Sequence, residues 1–152
     1  MLVAEAMTRD IETISPDASL QQAAQKMEEL DVGILPVCKG DRLQGVITDR
    51  DIIVRGVAAG ASPTEVLVQD CMSTDPAWCY EDDQITAALD EMEAGRIRRL
   101  MVLDRHERLV GVLALGDIAV KAEADPETGA ALAEISRPAA PDRDGRRLRS
   151  QT

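Results

Sequence analysis

The sequence predicts an α+β fold built from two copies of one β-α-β-β-α unit, and three observations predict it. The chain repeats itself with a period of about 65 residues: Val3-Ala4-Glu5-Ala6-Met7-Thr8 returns as Val68-Gln69-Asp70-Cys71-Met72-Ser73, and Gly45-Val46-Ile47-Thr48-Asp49-Arg50-Asp51-Ile52 returns as Gly111-Val112-Leu113-Ala114-Leu115-Gly116-Asp117-Ile118. Within each copy the apolar residues switch from helical to strand spacing. Each copy then holds two apolar runs separated only by a short polar turn, which makes a hairpin and gives a split unit, not a doubly wound sheet.

The elements of the first copy follow in order. An opening segment, Val3 to Met7, leads to a short strand near Glu12-Thr13-Ile14, which Ser15-Pro16-Asp17 turns. Ser19 and Gln22 form an S-x-x-Q capping box. Leu20, Ala23, Ala24, Met27 and Leu30 then fall on one face of a helix over 20–30. A buried strand is expected at Ile34 to Cys38, a turn at Lys39-Gly40-Asp41-Arg42 and a second strand from Leu43 to Thr48. Asp49 is expected to cap a final helix over 50–58, stopped by Gly60 and Pro63. In the second copy the helix runs from about Gln84 to Ala94 and stops at Gly95. The turn is Asp104 to Arg108, and the last helix starts near Asp117. The domains expected are 1–60, 61–122 and a C-terminal extension over 123–152. In that extension Thr128 to Ile135 is expected to be helical, and the Pro- and Arg-rich stretch from Arg137 disordered.

Composition narrows the function. The net charge of −11 opposes a general nucleic-acid surface, since phosphate backbones need basic patches. With one Trp, one Tyr and no Phe, stacking platforms for single strands are missing too, and the core must be aliphatic. No membrane span or signal peptide is expected, so the reading is cytoplasmic. Cys38, Cys71 and Cys79 form no C-x-x-C pair, and with a single His they make a poor zinc set. No metal is expected, and the thiols read as small core residues. No Ser/His/Asp set, phosphate-binding glycine loop or H-E-x-x-H element is present, so no catalysis is expected.

The strand-to-helix junction is the informative stretch. Thr48 and Asp51 place a hydroxyl and a carboxylate side by side where a strand ends. Such a pair can hold a polyol such as ribose, the carboxylate accepting from sugar hydroxyls. The second copy keeps Asp117 but has Ala114 in the hydroxyl position. An Asp near a helix start is also stabilising in its own right.

Taken together, the tandem Met-Thr/Ser, Ser-Pro-Asp, Leu-x-x-Ala-Ala-x-x-Met, Leu-Pro-Val and Gly-Val-Ile-Thr-Asp-Arg-Asp-Ile elements resemble a pair of CBS domains, a Bateman module, over about residues 1–121. In particular the chain resembles stand-alone bacterial two-CBS proteins. The resemblance implies two pseudo-symmetric units and a homodimer. It also implies an adenosine-containing ligand (AMP, ADP, ATP, NAD or S-adenosylmethionine) in a cleft between units. Ribose contacts would come from Thr48, Asp51 and Asp117, and phosphate contacts from Arg98 and Arg99. The adenine environment would come from Ile14, Ile34, Pro36, Tyr80, Leu100 and Met101, along with Trp78. No cofactor is required; the nucleotide is an effector, and the output would pass to a separate effector protein. The rival reading is a ligand-free scaffold or stress-linked dimer, with a redox variant joined through Cys71 or Cys79.

Overall fold

The structure is a computed structural model, and it describes residues 1–121 together with 129, 130 and 133. Helix α1 spans Val3–Ala6 and α2 spans Leu20–Leu30. Strands β1 (Ile34–Lys39) and β2 (Arg42–Thr48) follow, then a single turn α3 (Asp49–Asp51) that continues as a π-helical stretch, Ile52–Val57. The second copy gives α4 (Val68–Cys71), β3 (Trp78–Tyr80), α5 (Ile85–Gly95), β4 (Arg99–Leu103), β5 (Leu109–Ala114) and α6 (Leu115–Lys121). The expectations for 123–152 fall almost wholly outside the described residues.

Most local signals form as the residues dictate. The Ser19 hydroxyl accepts from Gln22 N–H and the Gln22 side chain accepts from Ser19 N–H, at 3.1 and 2.9 Å, which opens α2 as a reciprocal cap. Strands β1 and β2 pair antiparallel around the tight turn at Gly40, whose φ of 61° suits a residue without a Cβ. In the second copy the sheet order is β3-β4-β5, with β3 parallel to β4.

Four details differ from expectation. The strand at 12–14 shrinks to one bridge, Ile14 to Val37, because the Thr13 carbonyl accepts from Lys26 Nζ at 2.6 Å instead of a ladder partner. Helix α5 keeps Gly95 inside it, and Arg96 takes the left-handed φ of 52° that ends it, as Asp31 does after α2. The last helix of the first copy is capped by Thr48, not Asp49. Thr48 is extended and its hydroxyl takes the Asp51 N–H, while the Asp49 carboxylate turns to its neighbour Arg50 N–H at 2.8 Å. Finally α6 begins at Leu115, before Asp117.

The chain falls into two units whose limits are offset from the sequence repeat. One contains Met1–Arg9, Ala77–Asp104 and the residues from Val110 onward; the other contains Asp10–Pro76 and Arg105–Leu109. Each unit therefore takes its opening helix from the other repeat. In the first-named unit, Val3 N–H and Ala4 N–H donate to the carbonyls of Asp83 and Glu81, both at 2.9 Å. In the other, Val68 and Gln69 donate to Ala18 and Pro16 at 2.8 and 3.1 Å. The cores follow the same division. Val3, Ala6 and Met7 pack with Leu89, Met92, Leu113 and Ile118, whereas Val68 and Cys71 pack with Leu20, Ala23, Leu35 and Ile47.

Candidate functional site

Each unit brings the second residue after an opening helix onto its hairpin's second strand. Thr8 pairs with Val112 through reciprocal backbone bonds of 2.9 and 3.0 Å, and Ser73 pairs with Val46 at 2.8 and 3.0 Å. Glycine allows this close approach. A Cβ on Gly111 would lie 2.7 Å from the Thr8 carbonyl oxygen, and one on Gly45 would run into the Ser73 carbonyl.

In the unit of the first hairpin, Thr48 and Asp51 do sit together at the end of β2. They face each other as a reciprocal cap: Asp51 N–H donates to the Thr48 hydroxyl and Thr48 N–H donates to Asp51 Oδ2, both at 3.0 Å. The Arg55 guanidinium, one turn on, lies 3.9 Å from Asp51 Oδ1 and also donates to the Met72 carbonyl at 3.0 Å. Thus both oxygens of Asp51 already have local company. Across the junction, Asp49 N–H donates to the Gly33 carbonyl at 2.9 Å, and the space a side chain at Gly33 would take is occupied by the Asp49 carboxylate. The rim here is acidic.

The unit of the second hairpin has the same backbone and different chemistry. Leu115 N–H donates to the Arg98 carbonyl at 2.9 Å, so Arg98 stands where the first copy has Gly33, and Leu115 where it has Asp49. An anion would meet a guanidinium here instead of a carboxylate. Arg98 and Arg99 are both exposed, and among the described residues neither side chain forms an ion pair with Asp90, Glu91 or Glu93. Asp117 is half-buried, and its Oδ2 accepts from the Thr8 hydroxyl at 3.3 Å. Thr8 is a residue that the reading of the strand-helix junction missed. The one signal for it was the hydroxyl repeated after Met7 and Met72.

The apolar candidates divide. Leu100 is 0 % exposed inside the second hairpin's core and presents no surface to a ligand; Ile14 likewise belongs to the other core. Pro36 and Met101 are buried as well. Leu100 and Ile14 are core residues of their units, while Pro36 and Met101 are buried outside both core clusters, on strands whose burial is continuous and does not alternate. Ile34 and Tyr80 are half-buried, and Trp78 is 45 % exposed with its ring set edge-on to Tyr80 at 5.0 Å.

All three thiols are free and buried. Burial first, and then the nearby Asp41, pushes Cys38 up to about 11; burial, with Asp83 and Glu91, pushes Cys79 up to about 12; burial and Asp70 raise Cys71. Neither Cys71 nor Cys79 therefore offers the accessible thiolate that an intersubunit disulfide requires. Since the folded state holds the thiol protons more tightly, stability is fully present below pH 9, the ordinary thiol value, and falls as pH rises toward 11–12. Native protein at pH 8 is expected to react with a thiol reagent at least about a hundredfold more slowly than protein unfolded in urea. Equal rates would show that the thiols are accessible. Among the described residues, no three His, Cys, Asp or Glu side chains gather in a set that could hold a metal ion. No helix among them is long and apolar enough to cross a membrane.

The CBS domain family model matches residues 3–57 and again 68–122. A CBS domain-containing protein of Bacillus subtilis, YhcV, is 37% identical over 138 residues, covering 88% of this chain and 94% of its own. Hypoxic response protein 1 of Mycobacterium tuberculosis is 36% identical over 114 residues, covering 74% of this chain and 79% of its own. The crystal structure of Hypoxic Response Protein I, with two coordinated zinc ions, superposes with a TM-score of 0.72 at 34% identity, covering 80% of this chain and 98% of the other. The fold is also shared with CBSX2 in complex with AMP, at a TM-score of 0.69 and 24% identity over 80% and 96% of the two chains. Two family matches in tandem, over most of the chain and with the repeat and the fold to support them, place this chain in the CBS domain family as a pair of CBS domains.

Proposed function

We propose that this protein is a non-catalytic regulatory module that binds an adenosine-containing ligand and signals as a homodimer to a separate partner protein. The single observation that carries the reading is the second hairpin's junction. A half-buried carboxylate at Asp117, suited to sugar hydroxyls, shares one unit with exposed guanidinium groups at Arg98 and Arg99. Arg98 stands just before β4 and Arg99 is its first residue, and at least one of the two guanidinium groups is the phosphate ligand in this reading. In a chain of net charge −11, a local arginine pair is what draws an anion to this place. The fold holds AMP in CBSX2, which fits an adenine nucleotide here. Tyr80 and Trp78, in the same unit as Asp117, are the candidates for the base there.

The two copies are not equivalent in this reading. Asp117 is the main ribose ligand; Thr48 and Asp51, closed on each other and flanked by Arg55 and Asp49, form the weaker site. Isothermal titration with AMP, ADP, ATP, NAD and S-adenosylmethionine tests it. Micromolar binding of at least one ligand is expected, weakened at least about tenfold by Asp117→Ala and by less in Asp51→Ala. Binding unchanged in Asp117→Ala would refute the assignment, and no binding of any of the five at millimolar ligand would refute the nucleotide reading.

A specific observation favours self-association, which the runner-up reading of a scaffold dimer shares. Along the π-helical stretch Ile53 and Val57 are 60 % and 62 % exposed, and on α6 Val120 is 72 % exposed. Helix positions this apolar and this open are suited to a second copy of the chain. Sedimentation of Ile53→Glu/Val57→Glu is expected to give a monomer where the parent protein gives a dimer. The same sedimentation coefficient for both would place the dimer contact elsewhere.

A further inference from the structure

The second copy has lost the hydroxyl of its strand-end motif, since Ala114 stands where the first copy has Thr48. A hydroxyl nevertheless reaches its carboxylate, from the other repeat: Thr8 Oγ1 donates to Asp117 Oδ2 at 3.3 Å, across 109 residues of sequence. We infer that Thr8 supplies the missing hydroxyl and that Thr8 with Asp117 forms the clamp for a vicinal diol, the two neighbouring hydroxyls of a ribose. This deepens the nucleotide reading above and rests on it.

Three observations make the contact a built feature and not a passing one. Thr8 is fixed on both sides of its backbone by Val112, through the pair of 2.9 and 3.0 Å bonds. Gly111 has no side chain, which lets that backbone lie against β5; a Cβ there would stand 2.7 Å from the Thr8 carbonyl oxygen and 2.8 Å from Met7 Sδ. Below it, Lys121 Nζ reaches the Ala6 carbonyl at 3.4 Å and ties the end of α1 to α6, the helix that carries Asp117. The opening segment is thus held to β5 and α6 at once, with its hydroxyl over the carboxylate.

The chemistry follows from donor and acceptor counts. A hydroxyl that gives its proton to a carboxylate keeps its lone pairs, and a carboxylate oxygen can accept more than one hydrogen bond. One sugar hydroxyl can therefore donate to Asp117 and its neighbour to Thr8, with Thr8 also holding the Asp117 rotamer. In the first copy the arrangement differs. The repeat-equivalent residue is Ser73, while Asp51 is engaged by Thr48 and approached by Arg55. Asp51 has the Arg55 guanidinium at 3.9 Å, whereas the equivalent cation of copy two, Lys121, is turned to the Ala6 carbonyl and the Thr8 hydroxyl is the contact made to Asp117.

The test uses the full chain and AMP, followed by isothermal titration, with thermal melting to confirm that each variant is folded. Thr8→Val removes the hydroxyl at constant shape and is expected to weaken AMP about tenfold. Thr8→Ser is expected to stay within about threefold of the parent, because it keeps the hydroxyl. Ala114→Thr placed in the Thr8→Val background is expected to restore part of the loss. A structural role alone would not be rescued by a hydroxyl restored from the opposite side. If Asp117→Ala loses AMP while Thr8→Val binds it as the parent does, the clamp is refuted and the nucleotide reading stands. If the parent binds no AMP at millimolar concentration, or Asp117→Ala binds it unchanged, the nucleotide site itself is wrong and the clamp falls with it.

Discussion

A Val3→Asp variant is expected to unfold the second repeat before the first, although Val3 belongs to the first repeat by sequence. Val3 is 0 % exposed and sits in the core made by Leu89, Met92, Leu113 and Ile118. No cation is among those neighbours, so a carboxylate there would be buried without a partner, at a cost of about 3–5 kcal/mol. That is a large share of the roughly 5–15 kcal/mol that holds a domain folded. The loss also releases the backbone bonds from Val3 and Ala4 to Asp83 and Glu81, and the one from Ile85 N–H to the Met1 carbonyl. Hydrogen exchange read by mass spectrometry should show amides of α5, β4 and β5 losing protection while those of α2, β1 and β2 keep more of theirs. Val68→Asp should reverse the pattern, because Val68 is equally buried but packs with Leu20, Leu35 and Ile47. If Val3→Asp strips protection from residues 20–48 first, the assignment of opening helices to units is wrong.

Gly45→Val is expected to lower the melting temperature by roughly 10 °C or more. Its first side-chain atom would run into the Ser73 carbonyl oxygen, and Met72 Sδ lies only 3.4 Å from the same position. The obstacle is backbone, which has no rotamer to give. Relief requires Ser73 to leave Val46, and both bonds of that pair to be lost. Overpacking of about 1–3 kcal/mol and about 1 kcal/mol for each lost bond add in the same direction. Gly116→Ala is the matched control. It lies within α6 with nothing inside 4 Å of a new Cβ, so it should leave the melting temperature unchanged or raise it slightly. Equal melting of Gly45→Val and the parent would show that the strand and the opening segment do not approach as closely as described.

Much of this fold is legible in the residues because local chemistry decides it. The Ser19–Gln22 cap, the Leu20–Leu30 face and the Gly40 turn each depend on neighbours a few positions away. The sequence errors arise where two local options compete. Thr48 and Asp49 are both capping residues, and the extended backbone at Thr48 settles between them. Gly95 looks like a helix stop, yet Arg96 occupies the left-handed position. The π-helical stretch after Asp51 escapes a reading based on a 3.6-residue period, since Ile52, Ile53 and Val57 fit a regular helix equally well.

The candidate site was legible in part for the same reason. Asp51 and Asp117 are named as candidates from their places in the repeat, and Arg98 and Arg99 from the family resemblance. That Leu100 and Ile14 lie inside the two cores is not legible from spacing along a strand, which does not say which faces are covered. The contact of Thr8 with Asp117 is not legible because the two are far apart along the chain, and no periodicity encodes which repeat an opening helix joins. Repetition alone marks both Thr8 and Ser73 as hydroxyls at one position. Only the traded helices show that Thr8 reaches Asp117.

The traded opening helices also carry a kinetic consequence. Linking Thr8 to Asp117 closes a loop of 109 residues, whereas linking Arg55 to Met72 closes one of 17. The chain-closure entropy rises with the logarithm of loop length, so the longer closure costs about 1.5 kcal/mol more. Residues 3–8 are therefore among the last to dock, and the second repeat stays an open nucleus until they return to it. A refolding experiment should resolve two steps: closure of the first hairpin's unit, followed by capture of residues 3–8 by the other.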